Sequence, residues 1–181
     1  MSTEDFLPTW FSKDECAELL ITRSALGVLD HKDALIVTDY MHPMQVGAGV
    51  SFIKEGSIND THYMLLVLEG DVTIESKLSG DDPQSIVSVV GPGALIGEMG
   101  VLDHEPRSAT CTAYTDLKVA VLTRDSLLRL VTEHPSVGVN LLMALSKRLS
   151  DRLRETTQKL NKFVRLNRAL DDEINKGYFS R

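Results

Sequence analysis

Between Ala34 and Leu122 the apolar residues fall into short runs, and most of the gaps between them are too short to hold a helix. The runs are Ala34–Tyr40, Val50–Lys54, Tyr63–Leu68, Val72–Ser76, Ser85–Val90, Ser108–Ala113 and Lys118–Leu122. Turn-forming residues separate them: Gly47-Ala48-Gly49, Glu55-Gly56, Glu69-Gly70-Asp71, Ser79-Gly80-Asp81-Asp82-Pro83 and Gly91-Pro92-Gly93. Strands joined this tightly pair antiparallel, because a parallel pair needs a crossover of about a dozen residues or more. The expected centre of the fold is therefore an antiparallel roll or barrel, not a βαβ sheet.

Helices flank this centre. Ser12-Lys13-Asp14-Glu15 has the form of a capping box, and Leu19, Leu20 and Leu26 continue an apolar face. Thr123 is placed to cap a short helix over Asp125–Glu133. His134-Pro135 ends that helix, and Pro135 suits the first turn of the next. No proline follows, so a long helix is expected from Ser136 to about Asn175, on the order of 60 Å in length. Leu142, Leu149, Thr156, Phe163 and Leu170 recur every seven residues along it, with Leu153, Leu160 and Ile174 beside them. Such a stripe needs a partner, and parallel pairing with a second copy supplies one. Arg152 and Lys159 interrupt the line. The expected class is α+β: an antiparallel, jelly-roll-like β-roll with an N-terminal helix and a long C-terminal helix. The expected division is 1–33 (N-terminal helical segment), 34–124 (β-roll core) and 125–181 (hinge helix and long dimerisation helix).

Composition removes several functions. The formal net charge is −7, which disfavours a general nucleic-acid binder. It is uneven: residues 144–181 carry +5 and residues 1–143 carry −12. The basic end is either a solvated helix face or a docking surface for an anionic partner. No apolar run reaches the roughly 20 residues that span a bilayer, and the acidic start is not a secretory leader. Cys16 and Cys111 make neither a disulfide framework nor a zinc site, so a cytoplasmic location is expected. His31, His42, His62, His104 and His134 are scattered without metal-ligand spacing, and no nucleophile elbow or P-loop is present.

The chemistry concentrates between Gly91 and Thr110. Glycines and Pro92 end a strand and allow a sharp turn, after which Gly97 to Leu102 can form one or two helical turns. Converging amides there favour an anion. Gly97 permits close backbone approach, Glu98 offers a carboxylate to a hydroxyl such as a ribose 2′-OH, and Arg107 offers a planar donor fork suited to phosphate. Ser108 adds a hydroxyl at the expected start of the next strand. A surface ion pair of little energetic weight is the competing reading of Glu98 and Arg107.

Ile96-Gly97-Glu98-Met99-Gly100-Val101, followed after five residues by Arg107-Ser108-Ala109, resembles the phosphate-binding cassette of cyclic nucleotide-binding domains. These occur in catabolite activator and Fnr-like sensors, protein-kinase regulatory subunits and gated channels. Phe52-Ile53-Lys54-Glu55-Gly56 and Tyr63 through Val72 resemble the earlier part of the same roll, and the likeness extends over about residues 15–160. The resemblance implies a cyclic nucleotide as ligand, cAMP or cGMP, with a cyclic dinucleotide left open; for want of clustered ligands or a catalytic constellation in the residues, no cofactor, no metal and no catalysis are expected. It implies that the backbone of Gly97, Glu98 and Met99 contacts phosphate or ribose, that Glu98 holds the 2′-OH, that Arg107 neutralises the phosphate, and that Ser108 hydrogen-bonds a phosphate oxygen or the base, with Ala109 beside it. Arg152 of the long helix would cover the base, with Leu153, Thr156 and Thr157 nearby. Cys111 stands where relatives carry an aliphatic residue and is read as a small core residue. Relatives of the catabolite-activator type continue into a helix-turn-helix domain. From Leu166 sixteen residues remain, so the expectation is a stand-alone receptor that does not bind DNA and signals to a separate protein effector as a homodimer. The alternative is a ligand-free interaction or scaffold protein of the same fold, acting through its basic helix.

Overall fold

In the computed structural model, residues 8–59, 61–76 and 85–178 are described; the turn expected over 79–83 and the acidic N-terminus lie outside them. Helices α1 (Lys13–Leu20) and α2 (His31–Thr38) lead into strands β1 (His42–Val46), β2 (Ser51–Ile53), β3 (Tyr63–Glu69), β4 (Val72–Ser76), β5 (Ser85–Val90) and β6 (Leu95–Ile96). Then come α3 (Glu98–Asp103), β7 (Thr110–Ala113), β8 (Leu117–Thr123), α4 (Arg124–Glu133) and α5 (Pro135–Tyr178). The strands form two antiparallel four-stranded sheets, in the orders β1-β8-β3-β6 and β2-β7-β4-β5. The expected α+β roll with flanking helices is the observed architecture.

The core lies between the sheets, where Val46, Ile53, Leu65, Val67, Val72, Ala94, Ile96, Cys111, Ala113, Leu117 and Val119 form one cluster. Strand β3 is apolar on both faces. Leu65 and Val67 point into that cluster, while Met64 and Leu66 are also fully buried, and α1 and α3 pack on the strand. Two covered faces explain its unbroken hydrophobic run; β7 alternates buried and half-buried residues, as a strand with one wet face does. Cys111 is a core residue, as expected, and burial pushes the Cys16 thiol up to about 12, so it stays neutral.

Several elements differ from expectation. Ala34–Tyr40 is not a strand: Ala34 to Thr38 belong to α2, and Tyr40 lies in the turn that follows. Ile36-Val37-Thr38 is a β-branched run, but Asp30 caps the helix by accepting from the Lys32 amide, and Ala34, Val37 and Thr38 are its buried face, with α1 packed beside it. The roll begins instead at β1, a strand the apolar pattern does not reveal because His42, Met44 and Gln45 are exposed and Pro43 limits it to an edge. The boundary drawn between residues 33 and 34 thus falls inside α2. The strand expected from Ser108 starts at Thr110. At α1 the Ser12 side chain does accept from the Glu15 amide. Helix α5 is one continuous helix, slightly longer at both ends than expected. The chain divides into two compact units, Met1–Ala144 and Leu145–Arg181.

Candidate functional site

The segment after β6 is shaped by one arginine. Gly97 takes φ 82°, a left-handed conformation that glycine adopts without strain, and α3 starts immediately after it. Arg107 comes back to this turn across ten residues. Its backbone is fixed by the β2 side of the roll: the Gly56 amide donates to its carbonyl at 2.8 Å, and its own amide donates to the Ser57 carbonyl at 3.0 Å. Its guanidinium then reaches inward, donating from Nη1 to the Gly97 carbonyl at 2.9 Å and from Nη2 to the Tyr63 carbonyl at 2.8 Å. Although charged, Arg107 is only 5% exposed, and Glu98 on the first turn of α3 only 2%. Long charged side chains are almost never buried without a purpose or a partner. The planar donor fork of a guanidinium matches phosphate oxygens.

Gly97, just before α3, and Gly100, in its first turn, stand three residues apart. A Cβ on Gly97 would lie 2.7 Å from Arg107 Nη1, and one on Gly100 3.0 Å from the same atom. Both glycines therefore make room for the guanidinium. Met99, in the first turn of α3, is 40% exposed. Ser108 is exposed and Ala109 half-buried in the bend before β7. Arg152 lies on the separate second unit and is exposed. The turn of Gly97 and the side chain of Arg107 are thus in direct contact, with Glu98 adjoining in the chain. Tyr63 and Gly100 adjoin Arg107 and are not singled out by the sequence pattern; the three-residue spacing of the glycines is the available signal for Gly100.

Comparison with known families decides the class. The profile of the cyclic nucleotide-binding domain matches residues 43–134, just over half of the chain. The chain belongs to this family. The matched region of this cyclic nucleotide-binding domain runs from β1 to the end of α4 and includes the Gly97–Arg107 turn. A solved cyclic nucleotide-binding domain from Methylobacillus flagellatus KT is similar, at 29% identity and a TM-score of 0.72 over 83% of each chain. The regulatory domain of Toxoplasma gondii PKA, solved with cAMP, is 30% identical with a TM-score of 0.57, covering 65% of this chain and 43% of that one. The CRP-like cAMP-activated global transcriptional regulator of Mycobacterium tuberculosis is 26% identical over 113 residues, which is 62% of this chain and 49% of that protein. The chain spans about half that relative's length.

The cassette is tied to the helices that follow the roll. Arg124, the first residue of α4, donates from Nη1 to the Val101 carbonyl of α3 at 2.8 Å, and its amide donates to the His62 carbonyl at 2.7 Å. At the other end of α4, the Tyr40 hydroxyl donates to Glu133 Oε2 at 2.5 Å, with Arg129, His134 and Asp39 around the pair. The first turns of α5 are held to α2 by Asn140 donating to Asp33 at 2.7 Å. The Tyr40 hydrogen bond holds the Glu133 carboxyl below its ordinary range and raises the Tyr40 phenol above its own. Glu133's contribution is present above the unfolded carboxylate pKa and lost as pH falls through its lowered folded value; Tyr40's is present below the unfolded phenol pKa and lost as pH rises through its raised one. The stability gap between wild type and Tyr40→Phe should therefore be widest near neutral pH and narrow towards both acid and alkali, which urea titrations over a pH series will measure.

Proposed function

We propose that this chain is a receptor for a purine cyclic mononucleotide, cAMP or cGMP, that binds without turning its ligand over. The observation that carries the reading is the buried Arg107 guanidinium seated on the Gly97 turn beside the buried Glu98. In this reading the guanidinium neutralises the cyclic phosphate, Glu98 takes the ribose 2′-OH, and the backbone of Gly97 to Met99 closes on the phosphate. Ser108 and Ala109 line the adjoining bend. The two relatives named with cAMP favour that nucleotide as the first to try.

The signal passes through α4 and α5 to a protein effector in the cytoplasm, because α4 is hydrogen-bonded to the cassette helix by Arg124. Helix α5 pairs with a second copy. Leu153, Leu160, Phe163, Leu166 and Leu170 are each more than half exposed, and Phe163 and Leu170 continue a seven-residue line that is the same in both copies. Among the described residues no helix is long and apolar enough to cross a membrane.

Thermal melting of nucleotide-stripped protein with cAMP, cGMP and a cyclic dinucleotide in turn tests the reading. A ligand at about 100 times its Kd adds about 2.7 kcal/mol, which moves the midpoint of a domain this size by several degrees. A shift with cAMP or cGMP supports it. Folded, stripped protein that shifts with neither overturns it; the exposed basic residues of α5, from Arg152 to Arg168, then become the place to look for function.

A further inference from the structure

We propose that Tyr63 is a positioning residue for phosphate recognition, its ring holding the Arg107 guanidinium in the orientation that meets the ligand. The inference rests on the cyclic nucleotide reading above. Arg107 Cζ lies 4.8 Å from the centroid of the Tyr63 ring, and Nη2 donates to the carbonyl of the same residue. The ring is itself fixed. The Tyr63 hydroxyl donates to the Phe52 carbonyl at 2.7 Å, tying β3 to β2 through the side chain, and the ring packs against the apolar core between the sheets. The guanidinium also adjoins Gly97 and Gly100, where a Cβ would lie 2.7 Å and 3.0 Å from Nη1.

The cation thus lies against an aromatic ring and beside two residues that have no side chains. A planar guanidinium stacks well on an aromatic ring, and the attraction is strongest where water is excluded, as at a group 5% exposed. An arginine free to turn would lose rotamer entropy on meeting a phosphate; one already clamped loses less, so the ring raises affinity without touching the ligand. Tyr63 contributes through its side chain, and its carbonyl survives any substitution. The effect is therefore separable by mutation.

Titration calorimetry with cAMP and cGMP on wild type, Tyr63→Phe, Tyr63→Leu, Arg107→Ala and the Tyr63→Leu/Arg107→Ala double variant tests this. Tyr63→Leu should weaken binding about tenfold, the size of a desolvated cation–π contact. Tyr63→Phe keeps the ring and should stay within about threefold of wild type. In the Arg107→Ala background, Tyr63→Leu should change nothing further, because the group it positions is gone. Tyr63→Met, bulky but without a ring, carries the same expectation should the leucine variant fail to fold. A folded Tyr63→Leu or Tyr63→Met protein that binds as wild type does, or a tenfold loss that persists without Arg107, overturns the proposal while the nucleotide reading stands. A wild type that binds neither nucleotide overturns both.

Discussion

Arg107→Ala lowers cyclic nucleotide affinity by about 100- to 1,000-fold, on the scale of 3–4 kcal/mol lost when a buried, hydrogen-bonded charge pair loses one member. The size follows from burial. An exposed arginine competes with water and salt for a phosphate and contributes little. Arg107 is removed from solvent, so a phosphate brought beside it has exchanged its own hydration for this one cation. Arg107→Lys separates charge from shape: the ammonium keeps the positive charge but not the planar fork, and its affinity should fall between wild type and the alanine variant. The alanine variant also strips the Gly97 and Tyr63 carbonyls of a donor, so its nucleotide-free stability should drop by about 1–2 kcal/mol. Calorimetry gives the first quantity and urea denaturation the second. Wild-type affinity in folded Arg107→Ala would remove the phosphate from this site.

The parts of the fold legible in the sequence are those in which local pattern and tertiary environment agree. Strand β3 ends at the Gly70-Asp71 turn, β4 starts directly after it, and β5 ends at the Gly91-Pro92-Gly93 turn, so turn-forming residues mark these boundaries in the sequence. The N-cap of α4 at Thr123, accepting from the Ser126 amide, is a local event and is equally plain. Where the environment overrides propensity the reading fails. Ile36-Val37-Thr38 has the composition of a strand, and only the covering of Ala34 and Val37 makes it a helix. Strand β1 has the composition of a loop and is a strand because β8 offers it an edge, with His42 opposite Val121 and Val46 opposite Leu117.

The candidate site divides in the same way. Gly97, Glu98 and Arg107 announce themselves through residue types that phosphate and ribose chemistry needs, within one short segment. Tyr63 does not. It stands 44 residues from Arg107, and its contribution is a carbonyl, which every residue has, and a ring face, which in sequence reads as one more apolar position on a strand. The Arg124 bond to Val101 is hidden for the same reason: a backbone acceptor leaves no trace in the identity of the residue that carries it. The burial of Glu98 and Arg107, which gives both their energetic weight, depends on the pairing of β6 with β3 and is a property of the assembled roll.

Gly70→Ala should be the most damaging single methyl in the described roll, and its cost can be divided. Gly70 turns β3 into β4 with φ 90°, where an L-residue carries about 1–2 kcal/mol of backbone strain. Its Cβ would also lie 2.4 Å from the Asp116 carbonyl oxygen and 2.8 Å from both Leu117 Cδ2 and Thr115 Oγ1. Asp116 cannot give way easily, because two bonds lock this turn to the β7–β8 turn: the Asp71 amide donates to Thr115 Oγ1 at 2.9 Å and the Tyr114 amide to the Asp71 carbonyl at 2.8 Å. Overpacking against fixed backbone adds about 1–3 kcal/mol, for a combined loss of about 2–5 kcal/mol. Gly49→Ala isolates the first part, since Gly49 has φ 80° and a methyl there would meet nothing within 4 Å, and it should cost only the strain of about 1–2 kcal/mol. Urea midpoints for the two variants give the difference; equal losses would mean that the Asp116 turn yields after all. The bonds that seat Arg107 run to Gly56, Ser57, Tyr63 and Gly97, so Gly70→Ala, measured well below its melting temperature, should bind nucleotide as wild type does. Stability and recognition are then separable in one small roll, because the residues that close its turns are not the residues that seat its arginine.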